Sequence, residues 1–270
     1  MILDEIIKIK KQEIKKRKIM LPLTRFKSSL KPSDRNFKKA ISKKISLIAE
    51  IKKGSPSKGI INKNFSIENI AEIYQKNNNV KAISVLTDKK FFFMGPSCLK
   101  EVRKLTKKPL LRKDFIIDPY QIYEARYYGA DAILLIATLL TKDRINNFIE
   151  IAKRYNMDCL VETHTKEELQ KVLKTKAEII GINNRNLDTL KIDLNTTINL
   201  AKKIPKLSNV SENGLEKPKG FLKNKIIVTE SGYRTNKEIK KVKSTANAAL
   251  IGTSILNSKD INKKINDLMG

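Results

Sequence analysis

Short runs of β-branched and other apolar residues alternate along the chain with longer stretches whose apolar positions recur every three or four residues. A strand covered on both faces reads as a continuous apolar run, and its crossover helix reads as an amphipathic segment, so this alternation is the signature of βα units around a parallel sheet. Eight runs qualify: Ile45 to Ile51, Ala82 to Thr87, Pro109 to Phe115, Ala132 to Ala137, Cys159 to Thr163, Ile179 to Asn183, Ile226 to Ser231 and Ala248 to Thr253. A segment with helical spacing follows each. The α/β class is therefore expected, as a closed (β/α)8 TIM barrel with an N-terminal helical extension. An open doubly wound sheet would carry a glycine-rich turn after its first strand, and none stands there.

Start and stop signals support the helices between the strands. Ser66 precedes Ile67 to Gln75, Asp118 and Pro119 open a helix through Arg126 that Gly129 terminates, and Thr141 with Asp143 starts one through Tyr155. Met1 to Met20 reads as a lysine-rich amphipathic helix with Ile2, Ile6, Ile7 and Ile9 as packing positions, serving as a lid or a bottom plug. The expected division is residues 1–44 as a helical extension packed on the barrel and 45–270 as the catalytic barrel. The polar, turn-rich stretch Pro205 to Asn224 is longer than an ordinary connection, but it enters strand seven from the N-terminal face, where loops bear on stability, so it is given no catalytic role.

Composition narrows the setting. A chain of 270 residues with 40% hydrophobic content supports one substantial core. Its longest apolar run, Ala132 to Leu140, falls short of a membrane span, and its N-terminus alternates apolar and charged residues where a secretory signal needs an unbroken apolar stretch. Cytoplasmic localisation and no membrane partner are expected. Cys98 and Cys159 lack metal or disulfide spacing and read as buried packing. A formal charge of +28 raises polyanions as partners, yet the lysines are spread through nearly every segment instead of forming one stripe, and they come with many Asn and Ile. This pattern matches a coding bias, so nucleic acid is not the expected partner. The expected partner is a small phosphorylated molecule, bound by a monomer or a weak homodimer.

In such a barrel the side chains at the C-terminal strand ends ring the mouth. Charged and polar residues collect there: Glu50 and Lys52 after strand one, Lys113 and Asp114 after strand three, Glu162 after strand five, Asn183 and Arg185 after strand six, Glu230 and Ser231 after strand seven. Packing does not account for them, because unpaired buried charge is costly. Glu50 and Lys52 share a face of their strand, so one orients the other. The segment from Ser55 to Gly59 reads as a loop able to fold over substrate. Ser231 with Gly232, and Gly252 with Thr253, form adjacent turns whose backbone N–H groups suit a phosphate. His164, the only histidine, follows Glu162; hydrogen bonding within its own loop is its more ordinary role, with direct chemistry as the alternative. Phe93 and Phe115 are candidates for an aryl pocket.

Together these motifs resemble the indole-3-glycerol phosphate synthase family. The resemblance runs from about Ala49 to Leu256 and rests on Ala49 to Gly59, Arg112 to Ile116, Gly129 to Ile136, Leu160 to Glu162, Ile180 to Leu187, Glu230 to Gly232 and Leu250 to Gly252, in that order and spacing. It implies conversion of 1-(2-carboxyphenylamino)-1-deoxyribulose 5-phosphate to indole-3-glycerol phosphate without metal or organic cofactor. It also implies that Lys113 is the general acid of ring closure, Lys52 a second acid that steadies the substrate, Glu162 the general base and Glu50 the residue that tunes the lysines. Ser55, Pro56, Phe93, Phe115, Asn183, Arg185, Leu187 and Glu230 then line the substrate, and Ser231, Gly232, Gly252 and Thr253 hold its phosphate. Two rivals remain at this point. One is a phosphoribosylanthranilate isomerase, which needs a rim cysteine where Cys159 instead begins strand five; the other is a basic RNA-binding protein.

Overall fold

All eight apolar runs form strands in the computed structural model, which describes residues 2–43, 45–56, 59–61, 65–187, 189–204 and 225–270. They are β1 (Ser46–Ile51), β2 (Val80–Leu86), β3 (Leu110–Lys113), β4 (Ala132–Ile136), β5 (Asp158–Thr163), β6 (Ile179–Asn183), β7 (Ile226–Glu230) and β8 (Ala248–Ile251). Each pairs in parallel with its sequence neighbours, and β1 pairs with β8, closing the barrel. Two of the expected runs overshoot by more than one residue. Pro109, Asp114 and Phe115 lie outside β3, and Thr253 opens a short helix instead of ending β8.

Twelve α-helices are described. These are α1 (Ile2–Met20), α2 (Phe37–Ile41), α3 (Ile67–Lys76), α4 (Lys89–Phe92), α5 (Ser97–Leu105), α6 (Pro119–Tyr127), α7 (Lys142–Lys153), α8 (Lys166–Leu173), α9 (Asn195–Ala201), α10 (Asn236–Val242), α11 (Thr253–Leu256) and α12 (Ile261–Met269). Their starts follow the expected capping chemistry: Ser66, Asp118 and Thr141 each accept a backbone N–H of the first turn. None is long and apolar enough to cross a membrane.

The period-two alternation of each strand sorts its side chains into two cores. Outward residues such as Leu47, Ala49, Cys159, Val161 and Ile180 pack against the helices. Inward residues, among them Ile48, Leu111, Leu134, Leu160, Ile179 and Val228, fill the barrel, and Phe37 and Ile41 of α2 belong to the same interior cluster. Continuing the inward rows by two residues reaches Glu50, Lys113, Glu162, Gly181 and Glu230. The interior is thus apolar below and charged at the top.

Helix α1 reaches the barrel through a charge as well as through its apolar face. Ile6 and Ile14 are buried, Ile7 and Ile9 only half-buried, while Lys10 is wholly buried. The Lys10 Nζ lies 2.6 Å from Asp88 Oδ2, 2.9 Å from Asp114 Oδ1 and 2.9 Å from Glu13 Oε2. Burial alone would lower this ammonium's pKa, but the carboxylates of Asp114 and Asp88 outweigh it and hold the group above its ordinary value. Asp114, expected at the mouth, instead binds Lys10, the Arg112 guanidinium and the Thr87 hydroxyl. The stretch Pro205 to Asn224 lies outside the described residues.

Candidate active site

The charged top of the barrel is built from four strands. Lys113, at the end of β3, donates from Nζ to Glu230 Oε2 at 2.9 Å and stands 3.5 Å from Glu50 Oε2 and 4.0 Å from Glu162 Oε2. Lys52 donates to the other oxygen of Glu50 at 2.5 Å. Glu50 is therefore shared between two ammonium groups, as the common face of Glu50 and Lys52 implied. Tyr74 of α3 fixes the strand behind it by donating to the Glu50 carbonyl at 3.1 Å.

Burial and pairing set the charges. Burial alone would depress Lys113, but Glu230, Glu50 and Glu162 surround its ammonium and push it well above the usual lysine range. Glu50 is lowered: burial acts against ionisation, and Lys52 and Lys113 override it. The buried pair Glu162 and Glu230 splits. Burial raises both, yet contact with His164 and then Lys113 holds Glu162 well below the carboxylate range. Burial and the Glu162 charge drive Glu230 upward despite Lys113. Two carboxylates in one dry space do not both ionise freely, so one tends to keep a proton.

Two glycines make room for this cluster. A Cβ on Gly181 would lie 2.4 Å from Glu230 Oε1, and one on Gly252 would lie 2.4 Å from Glu50 Oε1 and 2.9 Å from Glu50 Cβ. Gly252, expected only as a phosphate contact, thus also clears the space in which Glu50 sits.

The turns after β7 and β8 are held by a buried polar network. Ser231 and Gly232 take left-handed backbone conformations, with φ of 68° and 100°. A Cβ at Gly232 would strike Ile192 Cγ2 at 2.6 Å, so this position requires glycine. Asn184 donates to the Ser231 carbonyl at 3.0 Å and accepts the Thr197 hydroxyl at 2.8 Å, while Thr229 contacts Thr197 and the Tyr233 hydroxyl, each at 2.6 Å. The Ser254 hydroxyl donates to the Tyr233 carbonyl at 2.7 Å, joining the two turns. Asn184, Thr197 and Thr229 carry no charge and sit beside more conspicuous residues, so none of them was among the expected site residues. Arg185 donates to the Leu190 carbonyl at 2.9 Å, and its own N–H donates to the Asn183 side chain at 3.0 Å.

The aryl candidates divide. Phe93, 45% exposed and left-handed at the end of α4, lays its ring against Gly54, where a Cβ would meet it at 2.6 Å. Phe115 packs on the barrel's interior cluster. Gly54–Ser55 pairs antiparallel with Gly59–Ile60, which places Ser55 in a small hairpin beyond β1, next to the exposed Pro56; Leu187 is half-buried after β6. A cleft of about 450 Å³ runs between α1 and the loops after β3 and β4, lined by Lys11, Ile14, Lys18, Ile117, Leu139 and Arg144. A second, of about 300 Å³, adjoins the hairpin and is lined by Lys53, Phe65, Phe93 and Met94. Neither lining includes a member of the lysine and carboxylate cluster, which holds the groups able to move protons. Among the described residues no group of three His, Cys, Asp or Glu side chains is arranged to hold a metal ion. Cys159 is buried between barrel and helices, away from the rim.

Comparison with known proteins agrees with this geometry. A family model described as indole-3-glycerol phosphate synthase matches residues 3–268. The chain is 45% identical over 273 residues to the indole-3-glycerol phosphate synthase of Alkaliphilus metalliredigens, covering 99% of this chain and 98% of the relative. It is 44% identical over 258 residues to that of Caldanaerobacter subterraneus, covering 95% and 93%. Among solved structures, a 3-hexulose-6-phosphate synthase superposes with a TM-score of 0.60 at 16% identity, over 83% of this chain and 98% of that one. The tryptophan synthase α-subunit of Campylobacter jejuni gives 0.58 at 14%, over 88% and 99%. At such identities the structural likeness speaks for the barrel alone.

Proposed function

The chain belongs to the indole-3-glycerol phosphate synthase family, and from that membership we propose how its rim divides the work of the reaction. The protein is a carbon–carbon lyase of tryptophan biosynthesis. It closes, decarboxylates and dehydrates 1-(2-carboxyphenylamino)-1-deoxyribulose 5-phosphate to give indole-3-glycerol phosphate. The observation that supports the assignment of roles is Lys113 Nζ within 4.0 Å of carboxylates from β1, β5 and β7.

Lys113 is the general acid of ring closure. Its raised pKa keeps it charged until the aryl carbon attacks the ketone and an alkoxide develops, a base strong enough to take the proton. Lys52 is the second acid and steadies the anionic substrate, with Glu50 positioning both lysines. Glu162, kept ionised, is the base for the proton lost in dehydration. Glu230, read from sequence as a substrate contact, also anchors Lys113. Asn183 and Arg185 meet the substrate's carboxylate and hydroxyls, a guanidinium suiting a carboxylate bidentately. Ser231, Gly232, Gly252 and Thr253 take the phosphate, and Ser55, Pro56, Phe93, Phe115 and Leu187 border the anthranilate ring. Residues 1–44 serve as an extension that completes the rim of the catalytic barrel, residues 45–270. The enzyme acts in the cytoplasm as a monomer or weak homodimer.

Turnover is followed by indole fluorescence on the carboxyphenylamino ribulose phosphate. Lys113→Ala and Glu162→Gln are each expected to lower kcat by about two or more orders of magnitude with the fold retained. Near wild-type turnover in either variant would overturn that residue's role.

A further inference from the structure

His164 sits two residues beyond Glu162, at the end of β5, with its imidazole almost wholly buried. Its Nε2 stands 3.1 Å from Glu162 Oε1, and its Nδ1 stands 3.1 Å from Glu168 Oε2. Glu168, in the first turn of α8, is itself fixed. Its Oε2 also accepts the His164 backbone N–H at 2.7 Å, and its Oε1 accepts the Thr138 hydroxyl at 2.6 Å. The ring is therefore clamped between a catalytic carboxylate and a carboxylate that has no freedom to turn away.

This geometry decides the ring's charge. A neutral imidazole has one N–H and one lone pair, so either tautomer would aim a lone pair at a carboxylate oxygen. An imidazolium offers an N–H to Glu168 and sets its charge 3.1 Å from Glu162 Oε1, an ion-pair contact in which Nε2 makes no aligned hydrogen bond. The remaining charged groups facing Glu162 are Lys113 from β3, 4.0 Å away, and Glu230 from β7, so the ring is its nearest cation.

We propose that His164 is a positioning residue of this enzyme: an imidazolium, oriented by Glu168, that keeps Glu162 as the charged member of the Glu162 and Glu230 pair and leaves its Oε2 as the proton-accepting atom. The inference deepens the reading of Glu162 as the base and rests on it. Glu162 Oε2 is buried and, among the described residues, has no hydrogen-bond partner. Its other oxygen is the one occupied by the ring. Glu230, which lies over Gly181 and has no imidazolium of its own, is the member that holds the proton. The direction of the ring's own shift agrees: burial disfavours its charge, but the two glutamates raise it to about 10.

Because His164 is the only histidine, a 15N-labelled sample of the unaltered protein reports this one imidazole directly in long-range 1H–15N correlation spectra. Both ring nitrogens are expected to remain protonated from about pH 6 to about pH 9. A neutral ring at about pH 7.5 overturns the proposal, whatever the activity. In kinetics, His164→Gln is expected to lower kcat about 10- to 100-fold with KM nearly unchanged, and to move the acid limb of the kcat profile up by about one pH unit, because a carboxylate that loses its cation binds its proton more tightly. Glu168→Gln, which leaves ring and base in place, is expected to move the limb the same way by less. A loss uniform across pH in both variants would mean scaffolding only and would refute the proposal. A charged ring alongside an active Glu162→Gln enzyme would instead remove the base assignment on which the proposal stands.

Discussion

Replacing Gly181 with alanine tests whether the placement of Glu230 matters to catalysis, because one methyl group is aimed at one carboxylate. The added Cβ would lie 2.4 Å from Glu230 Oε1, 3.3 Å from Leu160 Cδ1 and 3.4 Å from the Glu162 Cα. The last two contacts are tolerable, whereas the first is about 1 Å short of van der Waals separation. Gly181 is not in a left-handed conformation, so the backbone accepts alanine and the strain falls on Glu230. A displacement of about 1 Å in a group that holds the proposed acid is expected to cost about 100-fold in kcat. KM should rise by less than kcat falls, because Glu230 is a proposed substrate contact while the phosphate is held by backbone turns that the methyl does not touch. Stability should shift only slightly, because removing a strand glycine contributes about 0.5–1 kcal/mol against the crowding. Steady-state indole fluorescence and thermal melting measure both. The decisive comparison is a cycle with Glu230→Ala: if the methyl acts through Glu230, the double variant is no slower than Glu230→Ala alone. Additive losses, or wild-type kcat in Gly181→Ala, would refute the reasoning.

Gly252→Ala is expected to be more damaging, because its Cβ would meet Glu50 at the root of the side chain, 2.9 Å from Glu50 Cβ, where rotation gives no relief; the same assays should show a larger kcat loss and a lower Tm. Lys10→Met strands Asp88 and Asp114 without their shared ammonium and should cost about 3–5 kcal/mol in denaturant unfolding, a loss under about 1 kcal/mol counting against the tether. The His164 pKa lies near 10 in the folded protein against an ordinary value of 6.5, so its contribution to stability is fully present below pH 6.5 and lost as pH rises through about 10. Unfolding free energies across that window should decline in the wild type, and His164→Gln should lack this part of the slope.

Much of the site was legible because strand periodicity links residues two apart. Once Ile48, Leu111, Leu160 and Val228 are taken as barrel filling, Glu50, Lys113, Glu162 and Glu230 must project into the same space. That rule also separates the neighbours Lys113 and Asp114, which proximity in sequence had grouped together. Lys113 faces the mouth, while Asp114 leaves the strand to meet Lys10 and Arg112. The amphipathic reading of α1 likewise missed Lys10, because a lysine on a helix is ordinarily a solvated one, and only a docked helix reveals two buried aspartates opposite it.

The order of apolar runs, the caps between them and the charged strand ends were sufficient to specify a closed barrel with a charged rim, since these depend on local periodicity and local hydrogen bonding. Charge states and partnerships came only with the closed structure. Lys113 and Glu230 are 117 residues apart in the chain and 2.9 Å apart in space, and His164 stands beside Glu162 with Lys113 beside Glu230. Desolvation and Coulomb energy depend on distance and burial, and the chain acquires both only when β1 pairs with β8 and the strand ends are drawn into one dry space.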